Sequence, residues 1–215
     1  MRSLLVERMS EVKENNMKRS ILSLTLLLGL GVANISLAAT QTAMFAGGCF
    51  WGVDAVYKHV NGVTEVVSGY AGGAADTAHY ELVSEGNTGH AEAVRVTFDD
   101  ARVSYQQLLQ IFFSVAHDPT QLNRQGPDSG SQYRSAIFYT TPEQQQQAQR
   151  AIQTLSDKHI YASPIVTQVV PLKQFYAAEA HHQNYLALHP TQPYIVHHDM
   201  PKLQALQRVF PKLYH

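Results

Sequence analysis

A chain with a single cysteine cannot cross-link itself or build an all-cysteine zinc cluster, so this 215-residue sequence must hold its fold together with a hydrophobic core. The material is there: 45% of the residues are apolar and only 15% are charged, ordinary proportions for one soluble domain. A formal net charge of −1, with 16 Lys and Arg dispersed along the chain, leaves no clustered basic face to neutralise phosphates and excludes nucleic acid as a partner. The lone thiol of Cys49 is either inert packing or a reagent, and its neighbours decide which.

The first forty residues read as a secretory leader. Lys18 and Arg19 precede an apolar run of roughly 12 residues, and Ser36-Leu37-Ala38-Ala39 then places small residues one and three positions before a cut following Ala38. The run is shorter than the ~20 residues that a membrane-spanning helix needs. Residues 1–38 are thus expected to be leader and signal, and residues 39–215 a single domain with no stable membrane span after cleavage, periplasmic or secreted. A start at Met17 makes a compact basic leader, whereas Met1 adds a stretch carrying Glu7, Glu11 and Glu14.

Past the leader, strand-like and helix-like patterns alternate. Residues 42–46, 63–67, 91–98, 136–139 and 165–170 read as strands. Helical spacing covers residues 50–60, a segment capped by Ser104 and ending near His117, a segment from Pro142 to about His159, and residues 178–188. Residues 121–132, with Gly126, Pro127 and Gly130, read as a long structureless loop of the kind that usually carries function, and a Pro-, His- and Tyr-rich tail follows residue 188. Gly69, Gly72 and Gly73 lack the following helix that a phosphate-binding fingerprint requires.

The most informative six residues are Gly47-Gly48-Cys49-Phe50-Trp51-Gly52, which put the thiol at a helix N-terminus. Unpaired N–H groups and the helix dipole there favour the thiolate. Two large aromatics directly after a capping Cys cannot both face a core, so Phe50 and Trp51 are expected to wall a small apolar ligand.

The sequence closely resembles the peptide-methionine (S)-S-oxide reductases, the A-type methionine sulfoxide reductases. The matching blocks are Gly48-Cys49-Phe50-Trp51-Gly52, Ser68-Gly69-Tyr70-Ala71-Gly72-Gly73, and Tyr80 with Gly86-Asn87-Thr88-Gly89-His90-Ala91-Glu92-Ala93-Val94. They continue with His117-Asp118-Pro119-Thr120, with Gln125-Gly126-Pro127-Asp128-Ser129-Gly130-Ser131-Gln132-Tyr133-Arg134-Ser135, and with Phe175, Glu179 and His182-Gln183-Asn184-Tyr185. The resemblance implies an α+β fold, a two-layer sandwich of a mixed β-sheet with helices and long irregular loops. It also implies that Cys49 attacks the sulfoxide sulfur, that Phe50 and Trp51 hold the S-methyl group, and that Glu92 protonates the oxygen with help from the hydroxyls of Tyr80 and Tyr133. Asp128 joins that polar network. A sulfoxide oxygen leaves poorly until protonated, so Glu92 must keep its proton near neutral pH, and burial against Phe50 and Trp51 supplies the upward shift. The resemblance implies no cofactor and no metal.

Attack leaves methionine and a sulfenic acid on Cys49. Many family members carry resolving cysteines near the C-terminus, but residues 186–215 contain none, so regeneration is expected to draw on an external thiol: thioredoxin-like, glutaredoxin-like or small. Smaller departures from the family pattern are His181, Gln168, Asp54 and Tyr57. The eleven histidines do not make a metal site by spacing, since adjacent helical residues such as His181 and His182 point about 100° apart. The rival reading is a one-cysteine thiol peroxidase or thiol transferase, which has no need of an aromatic methyl cradle. The expected substrate is oxidised methionine, free or in proteins and peptides, and the expected state is a monomer.

Overall fold

The computed structural model describes residues 40–215; the leader, its cleavage after Ala38 and the Met17 start lie outside the described residues. In chain order the elements are β1 (Thr40–Gly47), α1 (Phe50–Lys58), β2 (Val63–Ala71), α2 (Tyr80–Val83), β3 (Ala91–Asp99), α3 (Tyr105–Ile111), β4 (Arg124–Gln125) and β5 (Asp128–Ser129). Then follow β6 (Ser135–Tyr139), α4 (Pro142–Asp157), β7 (Gln168–Pro171), β8 (Phe175–Ala177), α5 (Tyr185–Leu188) and α6 (Met200–Val209). Six strands form one mixed sheet in the order β7-β6-β1-β3-β2-β8, parallel only between β6 and β7. The fold is α+β.

Strand alternation separates two cores, because successive side chains leave opposite faces of a strand. Ala43 and Phe45 of β1, Val94, Val96 and Phe98 of β3, and Val66 and Tyr70 of β2 enter the main core, to which all six helices contribute. Met44, Ala46, Ala71, Ala91, Ala93, Ala136 and Phe138 form a smaller cluster on the other face, covered by Val170, Leu172 and Phe175 rather than by a helix. The helices therefore make one layer and the sheet the other. At the centre, Phe45 stacks on Tyr57 and on Phe112 with ring centroids 5.0 Å apart in each case.

Local signals explain the elements that arrive as expected. Ser104 and Gln107 form a reciprocal capping box at the start of α3, and Thr141 accepts from the Gln144 N–H with Pro142 at the first helical position of α4. Two expectations need correction. Residues 121–132 are not structureless: β4 and β5 pair as a small hairpin, and the Gln125 side chain ties the loop to the backbone N–H and C=O of Asp118. In the tail, where the sequence shows no element, a wide turn at Ile195–Asp199 runs into α6, which buries Leu203 and Leu206, with Ile195 buried beside them. Its apolar residues are too widely spaced among His, Pro and Lys for the periodicity to show.

The second correction concerns the helix expected over residues 178–188. The chain first pairs as β8 with β2, where a Cβ on Gly69 would lie 2.2 Å from the Tyr176 carbonyl oxygen, so only glycine admits the edge strand. It then makes a short turn at Ala180–His182, and Gln183 donates to the carbonyls of Ser68 and Ala178 and accepts from the Ser68 N–H. Asn184, left-handed at φ 56, ends the turn, and only α5 remains of the helix. Backbone groups satisfied by a neighbouring strand outcompete the helical ladder here.

Candidate active site

Strand β1 delivers the chain to Gly47 and Gly48, and Cys49 caps α1. Gly48 has φ 91, and a Cβ there would lie 2.5 Å from Cβ of Gln125, so this residue must be glycine for the loop to close against the turn. Cys49 and Phe50 are buried and Trp51 is half-buried. From β3, Glu92 leaves the sheet on the same face as Val94 and Val96 and meets the first turn of α1, where its Oε2 accepts the Phe50 N–H at 3.0 Å. That contact is a carboxyl at a helix N-terminus, and its register partner on β2 is Tyr70.

A cavity of about 210 Å³ opens over this turn, lined by Cys49, Phe50, Trp51, Tyr80, Glu92, Asp128, Tyr133 and Tyr194. All seven residues singled out from the sequence are brought together in it, from five separate stretches of chain. The loops that carry them are tied down by side chains. Glu179 accepts from the Tyr80 N–H and the Tyr70 hydroxyl, fixing the start of α2. Ser131 donates to the Gly86 carbonyl, Gln132 to that of Ser84, and Arg134 to those of Gly89, His90 and Ser131, locking the loop before β3 to the segment that carries Tyr133.

The site stores its protons. Burial pushes the Glu92 carboxyl up to about 8 against the lowering effect of the Phe50 N–H, with the Asp128 charge adding to the rise. It is a neutral acid at pH 7. Burial likewise raises the phenols of Tyr80 and Tyr133, which stay protonated and can donate. For Cys49 the expectation of a favoured thiolate is corrected. Burial, then the charges of Glu92 and Asp199, push the thiol well above its ordinary value, and the hydrogen bond from the Trp51 backbone, followed by the Lys202 charge, only partly offsets them. A helix N-terminus helps an anion, but desolvation of a buried thiol outweighs it.

Sequence reasoning missed four residues around this cavity. His182, buried, accepts the Trp51 indole N–H on Nδ1 at 3.2 Å, and burial, with His181 next in effect, lowers its pKa, so it is the neutral acceptor the indole needs. Tyr185 stacks on Trp51 at 3.7 Å, nearly parallel. Tyr194 donates to Asp128 and meets the indole edge-on. Asp199, fully buried, pairs with Lys202 behind α1. His182 and Tyr185 sit in a block singled out only by resemblance, and the tail residues gave no local signal. His90, next but one to Glu92, is a packing residue: its ring joins the Gly73 N–H to the Ala74 carbonyl.

The family model described as peptide methionine sulfoxide reductase matches residues 41–213. The chain is 57% identical over 175 residues to peptide methionine sulfoxide reductase MsrA 2 of Mesorhizobium japonicum, covering 81% of this chain and 90% of that one. It is 50% identical to the MsrA 2 of Synechocystis over 171 residues, 80% of each chain. Among solved structures, methionine sulfoxide reductase A of Corynebacterium diphtheriae superposes with a TM-score of 0.67 at 35% identity, covering 71% of this chain and 76% of that one. The reduced form of Mxr1 from Saccharomyces cerevisiae gives 0.66 at 30% identity, covering 73% and 89%.

Proposed function

The chain belongs to the peptide methionine sulfoxide reductase family, and we propose that the cavity over α1 is where it reduces the S epimer of methionine sulfoxide, free or within a peptide. One observation carries this reading: a lone thiol, a carboxylic acid still protonated at neutral pH, two phenols and two aromatic walls face one cavity of side-chain size. The S-methyl group packs on Phe50 and Trp51, and Tyr80 and Tyr133 donate to the oxygen. As Cys49 forms a bond to the sulfoxide sulfur, Glu92 passes its proton to that oxygen. The protonated oxygen then passes to Cys49 Sγ as the sulfur–oxygen bond breaks, the bond between Sγ and the methionine sulfur breaks with its electron pair going to methionine, and the proton given up by the thiol restores Glu92, leaving methionine and a sulfenic acid on Cys49. Aromatic faces beside a sulfur that becomes electron-poor stabilise its positive character.

The chain holds no second cysteine, so the reductant is an external thiol. One thiol condenses with the sulfenic acid, releasing water and leaving a mixed disulfide; a second displaces it, freeing the Cys49 thiol and a disulfide. Thioredoxin-like proteins, glutaredoxin-like proteins and small thiols all meet this chemistry. The leader-like pattern of residues 1–38 supports a periplasmic or secreted location, and one chain supplies every side chain that lines the cavity, which fits a monomer. A thiol peroxidase or thiol transferase is not favoured, because neither uses the aromatic cradle.

The test is turnover of each sulfoxide epimer of a methionine sulfoxide peptide, with a small dithiol as reductant, by residues 39–215 and by Cys49→Ser. The expected result is consumption of the S epimer alone, lost in the variant. No turnover of either epimer by folded protein that consumes peroxide instead overturns the reading. For the leader, the secreted protein should begin at Ala39, and a peptide from upstream of Met17 in the precursor would refute the Met17 start.

A further inference from the structure

Two buried charges remain unused by this chemistry. Asp199 is fully buried with Oδ1 3.1 Å from Nζ of Lys202, which is itself only 17% exposed, and Asp199 Oδ2 has no hydrogen-bond partner. Burying an ion pair is costly for stability, so its placement needs a reason. A glycine sets that placement. A Cβ on Gly52 would lie 2.1 Å from Asp199 Oδ1 and 2.6 Å from Lys202 Nζ, so both charges occupy the space that any other residue would fill. Gly52 is the third residue of α1 and Cys49 is its N-cap, so the backbone that the pair packs against belongs to the first turn after the thiol. The pair therefore sits within a turn of the thiol.

The other ionisable groups that line the cavity with Cys49 are acids or phenols, Glu92 from β3, Asp128 from β5, Tyr80 from α2, Tyr133 from the turn before β6, and Tyr194 from the tail, and His182 behind Trp51 is held neutral by burial. His117, which packs on Gly47, is held neutral by burial, its pKa pulled down to about 4. Lys202 is the cation whose charge reaches the thiol, and Asp199, which also faces His198 and Asp128, is its counterweight. We infer that Lys202, held against Gly52 by Asp199, is a positioning residue that supplies the positive charge on which formation of the Cys49 thiolate depends. Burial holds the thiol protonated at rest and Asp199 outweighs Lys202 in the same direction, so the lysine charge opposes both and Asp199 sets how much of it the thiol feels. This inference rests on the reading of Cys49 as the nucleophile and names what drives its ionisation.

Because the chain has one cysteine, alkylation by iodoacetamide reports Cys49 alone and needs no substrate. Rates are measured against pH for the wild type, Lys202→Met, Lys202→Arg and Asp199→Asn. A unit charge one turn away is worth about one pH unit. Lys202→Met should move the midpoint up by about that amount and slow alkylation at pH 8 about tenfold, Asp199→Asn should move it down, and Lys202→Arg should restore the wild-type profile. A merely structural role would not shift the two charge variants in opposite directions. If both keep the wild-type midpoint or move the same way, the inference is overturned. Should Lys202→Met not fold, Asp199→Asn decides alone: a lower midpoint supports the assignment and an unchanged one refutes it. Sulfoxide turnover by Cys49→Ser bears on the nucleophile, not on these midpoints, so the two failures are distinguishable.

Discussion

Glu92 shows how burial makes chemistry from an ordinary carboxylate. Left in water it ionises near 4.5 and has no proton to give at pH 7; enclosed beside the first turn of α1 it keeps that proton to about pH 8. Replacing it with Gln keeps the shape and the contact at α1 but removes the acid, so single-turnover sulfoxide reduction at pH 7 should fall about 10²- to 10⁴-fold, the usual worth of a placed general acid. The wild-type single-turnover rate should itself decline as pH rises through about 8, where Glu92 loses its proton, and Glu92→Gln should lack that declining limb. Rapid-quench measurement across pH 6 to 10 checks both. That Cys49, Glu92, Tyr80, Tyr133, Asp128, Phe50 and Trp51 share one cavity was legible because each lies in an unbroken motif block; Asp199 and Lys202 were not, because their partner is the empty side of Gly52.

At the scale of elements, the break between β8 and α5 does what a continuous helix could not. A straight helix over residues 178–188 would carry His182 and Tyr185 around its own axis. The left-handed Asn184 instead lets His182 face the Trp51 indole N–H while Tyr185 lies flat on the indole ring. Asn tolerates that backbone and its Oδ1 accepts from Lys58 at 2.6 Å. Asn184→Val, a β-branched residue forced to positive φ, should lower unfolding free energy by about 1–2 kcal/mol in urea titrations and reduce kcat/KM, while Asn184→Gly should retain most of both. The sequence pattern read through this break because Ala178, His182, Tyr185 and Leu186 have helical spacing, and periodicity does not report that β2 offers competing hydrogen bonds.

For the whole molecule, the site is held at a cost that pH exposes. Glu92 has a folded pKa raised from 4.5 to about 8, so between those values the folded protein binds more protons than the unfolded chain and stability falls as pH rises. Glu92→Gln should therefore match the wild type near pH 4, gain on it as pH rises through about 8, and hold a constant advantage above that; denaturant midpoints at intervals of pH will show it. The sequence by itself determined the order of most strands and helices and, through its resemblance to the family, the α+β class and the residues that line the cavity, because alternation, caps and contiguous motifs are local properties of the chain. Only the tertiary structure decided that the thiol rests protonated, that the 178–188 segment breaks, and that a tail without visible pattern brings Tyr194, Asp199 and Lys202 to the nucleophile. Desolvation, competition for backbone hydrogen bonds and the approach of distant charges depend on what the rest of the chain packs around a residue, which its near neighbours in sequence do not specify.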